Sequence, residues 1–181
     1  MRKLLLCCAL CCLLAGLPAS GMAANAKIDP ESYICAELVA LASTAQEAPL
    51  FEVLQMDGYA AAAAGQDVAV PEAVAPILGQ VLGICQAQPT EKVAAVWQAV
   101  RQQSLLPENG PWHADRTTCG QFTAAQEDGS GFPVWLDGYN RQKNGNRSSI
   151  LNDNESFQGF LKACAKKPDS LMLDVLREQA R

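Results

Sequence analysis

The sequence predicts an all-α protein made of two small tandem helical bundles, each stapled by one disulfide, behind a signal peptide. Three observations predict it: an export signal followed by an even number of cysteines, a triplet that occurs twice in matching surroundings, and apolar residues recurring at helical spacing.

The export signal comes first. Arg2 and Lys3 precede an apolar run from Leu4 to Leu17, Pro18 follows, and small residues stand at Ala24, Asn25 and Ala26. This is the charge, apolar stretch and small-residue exit of a cleavable secretory signal, so residues 1–26 are expected to leave. No later run approaches the length of about 18 apolar residues that a membrane span needs, and the expected mature protein is periplasmic without a membrane anchor. Of the 8 cysteines, Cys7, Cys8, Cys11 and Cys12 go with the signal, and Cys35, Cys85, Cys119 and Cys164 remain. Four cysteines allow three pairings. Their wide spacing and the single histidine, His113, do not fit a zinc site, and no metal or other cofactor is expected.

Beyond Ala26 the chain holds 12 basic and 19 acidic residues, a net charge of −7. Without a basic stripe, nucleic acid is not an expected partner. Ordinary side-chain pKa values turn the same surface to roughly +13 once every carboxylate is protonated and His113 is charged. The charge is uneven. Residues 27–105 carry 3 basic and 9 acidic groups, and the rest of the chain carries 9 and 10.

A repeat organises the mature chain. Asp57-Gly58-Tyr59 reappears as Asp137-Gly138-Tyr139, with Leu54 and Val134 three residues before each aspartate. Cys85 follows the first aspartate by 28 residues and Cys164 the second by 27, and each cysteine is followed four residues later by a proline, Pro89 or Pro168. Cys35 and Cys119 precede their triplets by 22 and 18 residues. The matching order selects one pairing, Cys35 with Cys85 and Cys119 with Cys164. In the chain-entropy model a loop of that size restricts the unfolded state by about 4 kcal/mol, a large share of the stability of so small a bundle. The expected domains are residues 27–102 and 117–181, joined by a linker at 103–116 that holds Pro107, Asn109, Gly110 and Pro111.

Within the first unit, Asp29 and Pro30 predict the start of a helix bearing Ile34, Leu38 and Leu41 on one face. Pro49 opens a second helix, which carries Phe51, Leu54 and Gly58 and ends before Gly65. A third opens at Pro71, with Val74, Leu78, Val81, Leu82 and Cys85 on one side. A fourth follows Pro89, with Val93, Val96, Trp97 and Val100. The second unit repeats this outline with shorter helices and with turn signals at Asp128-Gly129-Ser130-Gly131 and Asn144-Gly145-Asn146.

A cysteine near a helix start, an apolar residue before Asp-Gly-Tyr, and a late cysteine followed by proline together resemble the HdeA/HdeB acid-stress chaperones. Both halves carry the pattern, residues 33–100 and 118–176, and Trp135-Leu136-Asp137-Gly138-Tyr139 is the better match. The resemblance implies small helical modules with one internal disulfide that hold other periplasmic proteins soluble during acid exposure. Family members are single modules, so two on one chain imply an intramolecular pseudo-dimer. The expected partners are unfolded periplasmic proteins, held by apolar residues near the domain interface such as Phe51, Leu54, Trp97, Phe132 and Trp135. Taken singly, each of these five also fits an ordinary core position.

An enzymatic reading would use Asp57 and Asp137 as acid and base. Their equivalent places in separate repeats favour structural roles instead, with the glycine admitting a close helix and the aspartate capping or solvated. No nucleophile triad or phosphate loop is legible, and the chain is expected not to be an enzyme. The main alternative is a periplasmic immunity or inhibitor protein that binds one toxic effector, and a small secreted hydrolase stands third.

Overall fold

The first helix, α1 (Cys35–Thr44), begins later than Asp29 and Pro30 predict, because its approach is taken up by other bonds. The Asp29 carboxylate accepts from the Glu31 N–H at 3.2 Å and the Ser32 hydroxyl at 2.8 Å, and its carbonyl accepts from the Tyr33 N–H at 2.8 Å. That closes a tight turn rather than a helix. Tyr33 and Ile34 then run extended, since the Tyr33 carbonyl accepts from Val93 at 3.0 Å and Ile34 bridges Lys92. Tertiary bonds of this kind override a local cap.

The computed structural model describes residues 28–45, 48–107, 109–125, 129, 131–145 and 147–180. The expected signal peptide, residues 1–26, lies outside them, as do Asp128, Ser130 and Asn146 of the two turn signals. The elements in order are α1 (Cys35–Thr44), α2 (Leu50–Ala63), β1 (Val68–Ala69), α3 (Pro71–Ala87), α4 (Val93–Gln103), β2 (Trp112–His113), α5 (Cys119–Ala125), α6 (Phe132–Lys143), α7 (Asn154–Lys166) and α8 (Met172–Gln179). Among the described residues the fold is all-α apart from one short antiparallel pair, Val68 opposite His113 and Ala69 opposite Trp112, and two isolated bridges. None of the described helices is long and apolar enough to cross a membrane.

Pro49 and Pro71 act where expected. Pro49 stands at the head of α2 and Pro71 at the first position of α3, where the missing N–H costs nothing. Gly65, with φ of 74°, turns the chain just past α2. Two apolar clusters form. One gathers Leu38, Met56, Ile77, Val81, Trp97 and Val100, and the other gathers Trp112, Trp135, Leu136, Phe160, Met172 and Leu176.

Each cluster is stapled by its own disulfide. Cys35 bonds Cys85 with Cα atoms 4.8 Å apart, and Cys119 bonds Cys164 at 5.1 Å. All four cysteines are fully buried. Such bonds belong to an oxidising compartment.

Around each disulfide the same backbone clasp appears. In the first half Cys35 donates to Glu91 at 2.8 Å, Ala36 to Pro89 at 2.8 Å and Val93 to Tyr33 at 3.0 Å. In the second half Cys119 donates to Ser170 at 2.9 Å, Gly120 to Pro168 at 2.7 Å and Met172 to Thr117 at 3.0 Å. The helix starts match too. Glu37 accepts from the Ile34 N–H at 2.9 Å, and Gln121 accepts from Thr118 at 2.8 Å while the Thr118 hydroxyl returns the cap at 3.2 Å.

The segment read as a linker is partly built into the fold. Trp112, His113 and Ala114 are buried, and Ala114 donates to Asp67 at 2.8 Å. Trp112 supplies the reason, since its indole stacks on Phe132 with ring centroids 5.3 Å apart and meets Phe122 edge-on at 6.4 Å.

Candidate functional site

The two Asp-Gly-Tyr triplets meet. They sit in the middle of α2 and α6, which form the most extensive helix pairing in the molecule. A Cβ on Gly58 would overlap the Trp135 carbonyl oxygen, and one on Gly138 would overlap the Gln55 carbonyl oxygen. Each glycine therefore lets the other helix's backbone come closer than any side chain permits. The contact is reciprocal, because Gln55 and Trp135 each stand two residues before the aspartate of their own triplet.

The same reciprocity governs the polar groups. Gln55 donates its side-chain amide to Asp137 at 2.8 Å, and Trp135 donates its indole N–H to Asp57 at 2.8 Å. Both aspartates have no exposed surface. The expectation that they cap a helix or stay solvated is corrected: they are interior anchors, and each is reached by a donor from the opposite half.

Their remaining partners differ. Asp57 accepts from the Trp97 indole at 2.9 Å and from the Arg101 guanidinium at 2.5 and 2.6 Å. Arg101 is itself 1% exposed and also holds Gln66 at 2.8 Å and the Val68 carbonyl at 3.0 Å. Asp137 accepts from the Ser149 hydroxyl at 2.9 Å and the Ile150 N–H at 2.8 Å. Burial pushes the Asp137 carboxyl above its ordinary value, and the bonds from Ser149, Ile150 and Gln55 offset only part of that. The buried Arg141 contributes more distantly to Asp137, and it ties α6 to the segment that precedes α1 by donating to the Ile28 carbonyl at 2.8 Å.

The tyrosines of the triplets sit at the edge of this junction. Tyr139 stacks on Trp135 at 5.5 Å, and Trp135 on Phe132 at 5.8 Å, continuing the aromatic series that begins at Trp112. Tyr59 and Tyr139 are half-buried, and burial raises both phenols.

The five residues expected to meet client proteins divide sharply. Trp97, Trp135 and Phe132 are core, and the two indoles are engaged by Asp57. Leu54 is half-buried and lines a pocket of roughly 160 Å³ with Val74, Trp112, Phe132 and Trp135. Phe51 alone is exposed, beside Leu50. It stands on the rim of a larger groove of roughly 450 Å³ where the halves meet, lined by Ile28, Phe51, Gln55, Leu151, Asn152 and Phe157 among others.

Sequence reading missed Gln55, Arg101, Ser149 and Ile150. Arg101 carried a signal, since it falls four residues after Trp97 on the otherwise apolar stripe of α4. The others carried none, because an amide, a hydroxyl and a backbone N–H acquire meaning only from what lies opposite. The fold also gathers Asp67, His113 and Asp115 at the end of the β1–β2 pair. Burial pushes the Asp67 carboxyl up, but hydrogen bonds with Asp115 and His113 outweigh it and hold Asp67 below its ordinary value. The bond with Asp67 pushes Asp115 up.

No family model, curated protein or solved structure matches this chain.

Proposed function

We propose that the chain is a non-enzymatic periplasmic holdase: two copies of an HdeA/HdeB-like module fused into a pseudo-dimer that keeps acid-unfolded proteins soluble. The observation that carries the reading is the reciprocal junction of α2 and α6. Gly58 against Trp135 answers Gly138 against Gln55, and Gln55 to Asp137 answers Trp135 to Asp57. A two-fold dimer of single modules has this exchange of equivalent contacts across its axis. The matching clasps and disulfides support descent of both halves from one module.

Clients are taken up by apolar surface, first at Phe51 on the groove where the halves meet and at Leu54 in the smaller pocket. Trp97, Phe132 and Trp135 become available only as the bundles loosen, while the two disulfides limit how far they open. Loosening does not start at Asp137. A carboxyl whose folded pKa is raised contributes stability that is full below its unfolded pKa and is lost as pH rises through the folded value, so acid tightens that anchor. Asp67 has the opposite sign, and its contribution disappears as pH falls through its lowered value, while Asp115, pushed up by the bond the two carboxyls share, offsets part of this. General repulsion of the roughly thirteen positive charges expected in strong acid adds to this and keeps complexes soluble.

The test is light scattering of two or three unrelated acid-labile proteins with and without the chain, from neutral pH to about pH 2. Suppressed aggregation in acid and none near neutrality is the expected result. A second reading, an inhibitor or immunity protein for one effector, draws support from the preformed groove, which is available without any opening. It requires tight neutral-pH binding to one protein and no acid suppression of unrelated ones, an outcome that removes the holdase reading.

A further inference from the structure

We infer that Asp67, His113 and Asp115 form a binding site for a divalent transition-metal ion, zinc by preference, that ties the first half of the chain to the connecting segment. The ring of His113 is buried, its side chain 7% exposed, and its Nε2 lies 3.0 Å from the Gly110 carbonyl oxygen. A carbonyl only accepts, so Nε2 is held as a donor to Gly110 and Nδ1 is the ring nitrogen turned toward the carboxylates. Nδ1 faces the Asp67 carboxylate at 3.3 Å. Asp115 adds a second carboxylate, with all three donor atoms within 4.8 Å of one another. A cation would replace the hydrogen bonds that now link these groups and engage all three donors at once.

Arg116 now stands beside it, its guanidinium nitrogen 2.7 Å from Nδ1 and 2.8 Å from Nε2. Arg116 and Asp115 are exposed, so the guanidinium can swing away and the carboxylate can close in. Tetrahedral ligands bonded to zinc at about 2 Å lie about 3.3 Å apart, so the donors must draw together by up to roughly 1.5 Å. An imidazole held by a backbone carbonyl on its other nitrogen is the usual supported form of a histidine ligand. One imidazole and two carboxylates favour zinc over calcium or magnesium, which take oxygen ligands throughout. The ion would join Asp67, at the foot of β1, to β2 and the residue two beyond it, beside the backbone bond from Ala114 to Asp67.

Because His113 is the only histidine, its ring signals report on the site without ambiguity. The experiment titrates zinc chloride into the untagged, disulfide-bonded mature chain, followed by calorimetry and by NMR of the imidazole. The expected result is saturable one-to-one binding with the His113 ring signals shifting in step. Asp67→Asn should weaken binding at least tenfold, and Arg116→Ala should tighten it by removing the competing cation. His113→Gln should abolish it, with the urea midpoint checking that this variant folds. Absence of saturable binding in both the wild type and Arg116→Ala overturns the site, as does binding that leaves the His113 ring unshifted.

Discussion

Asp57 and Asp137 occupy the same place in their two halves, yet the surroundings neutralise them by different means. Asp57 is paired with a buried cation, and two indoles complete its shell. Asp137 is cradled by an amide, a hydroxyl and a backbone N–H, all neutral. The difference traces to α4 and α8. Trp97 and Arg101 lie eight and twelve residues past Pro89, whereas Leu176 and Ala180 lie at those distances past Pro168. Leucine and alanine have nothing to donate, so the connection between α6 and α7 turns inward and offers Ser149 and Ile150 instead. A shared architecture can therefore conserve a buried carboxylate's position while replacing everything that makes its burial tolerable.

The largest effect should come from breaking the charged version of this arrangement. Arg101→Met leaves Asp57 buried without its cation and should cost about 3–5 kcal/mol, read from urea denaturation. Arg141→Met leaves the three neutral donors of Asp137 in place and should cost only about 1–2 kcal/mol, for the lost bonds to Ile28 and Asp29. Equal costs for the two would mean that the contrast between a paired and a cradled carboxylate is misdrawn.

The glycines test where the halves are alike. Gly58→Ala and Gly138→Ala each push a methyl group into a backbone carbonyl, and each should cost about 3 kcal/mol. The double variant should cost less than the sum, because separating the helices for one methyl makes room for the other. Additive costs would indicate two independent contacts rather than one reciprocal junction.

The smallest effect concerns pH. Asp137 has a raised folded pKa, so its contribution is full below about 3.9, the ordinary unfolded value, and declines as pH rises toward the folded one. Stability profiles of the wild type and Asp137→Asn should therefore diverge in favour of the wild type as pH falls through that window. Parallel profiles would show that Asp137 titrates as it does in the unfolded chain.

Much of the fold was legible in the order of residues. The disulfide pairing, the positions of α2, α3 and α4 and the apolar faces of α3 and α4 came from spacing, because a covalent ring and a 3.6-residue period leave a record along the chain. The close approach of Gly58 to another helix was also readable. Its partner was not, since nothing local says that the other side of the contact is the other triplet. Helix α1 started late because Tyr33 and Ile34 pair with residues near 92, a bond some sixty residues away in sequence that outweighs the Asp29-Pro30 signal.

What the amino-acid order determined by itself is therefore the all-α class, the two stapled units and their matched outline, all of which depend on local periodicity and loop closure. Only the tertiary structure decided that α2 and α6 cross at their glycines, that three of the five candidate contact residues are interior, and that Asp67, His113 and Asp115 converge. Those outcomes depend on which groups are excluded from water together, and burial is a property of the assembled chain rather than of any stretch of it.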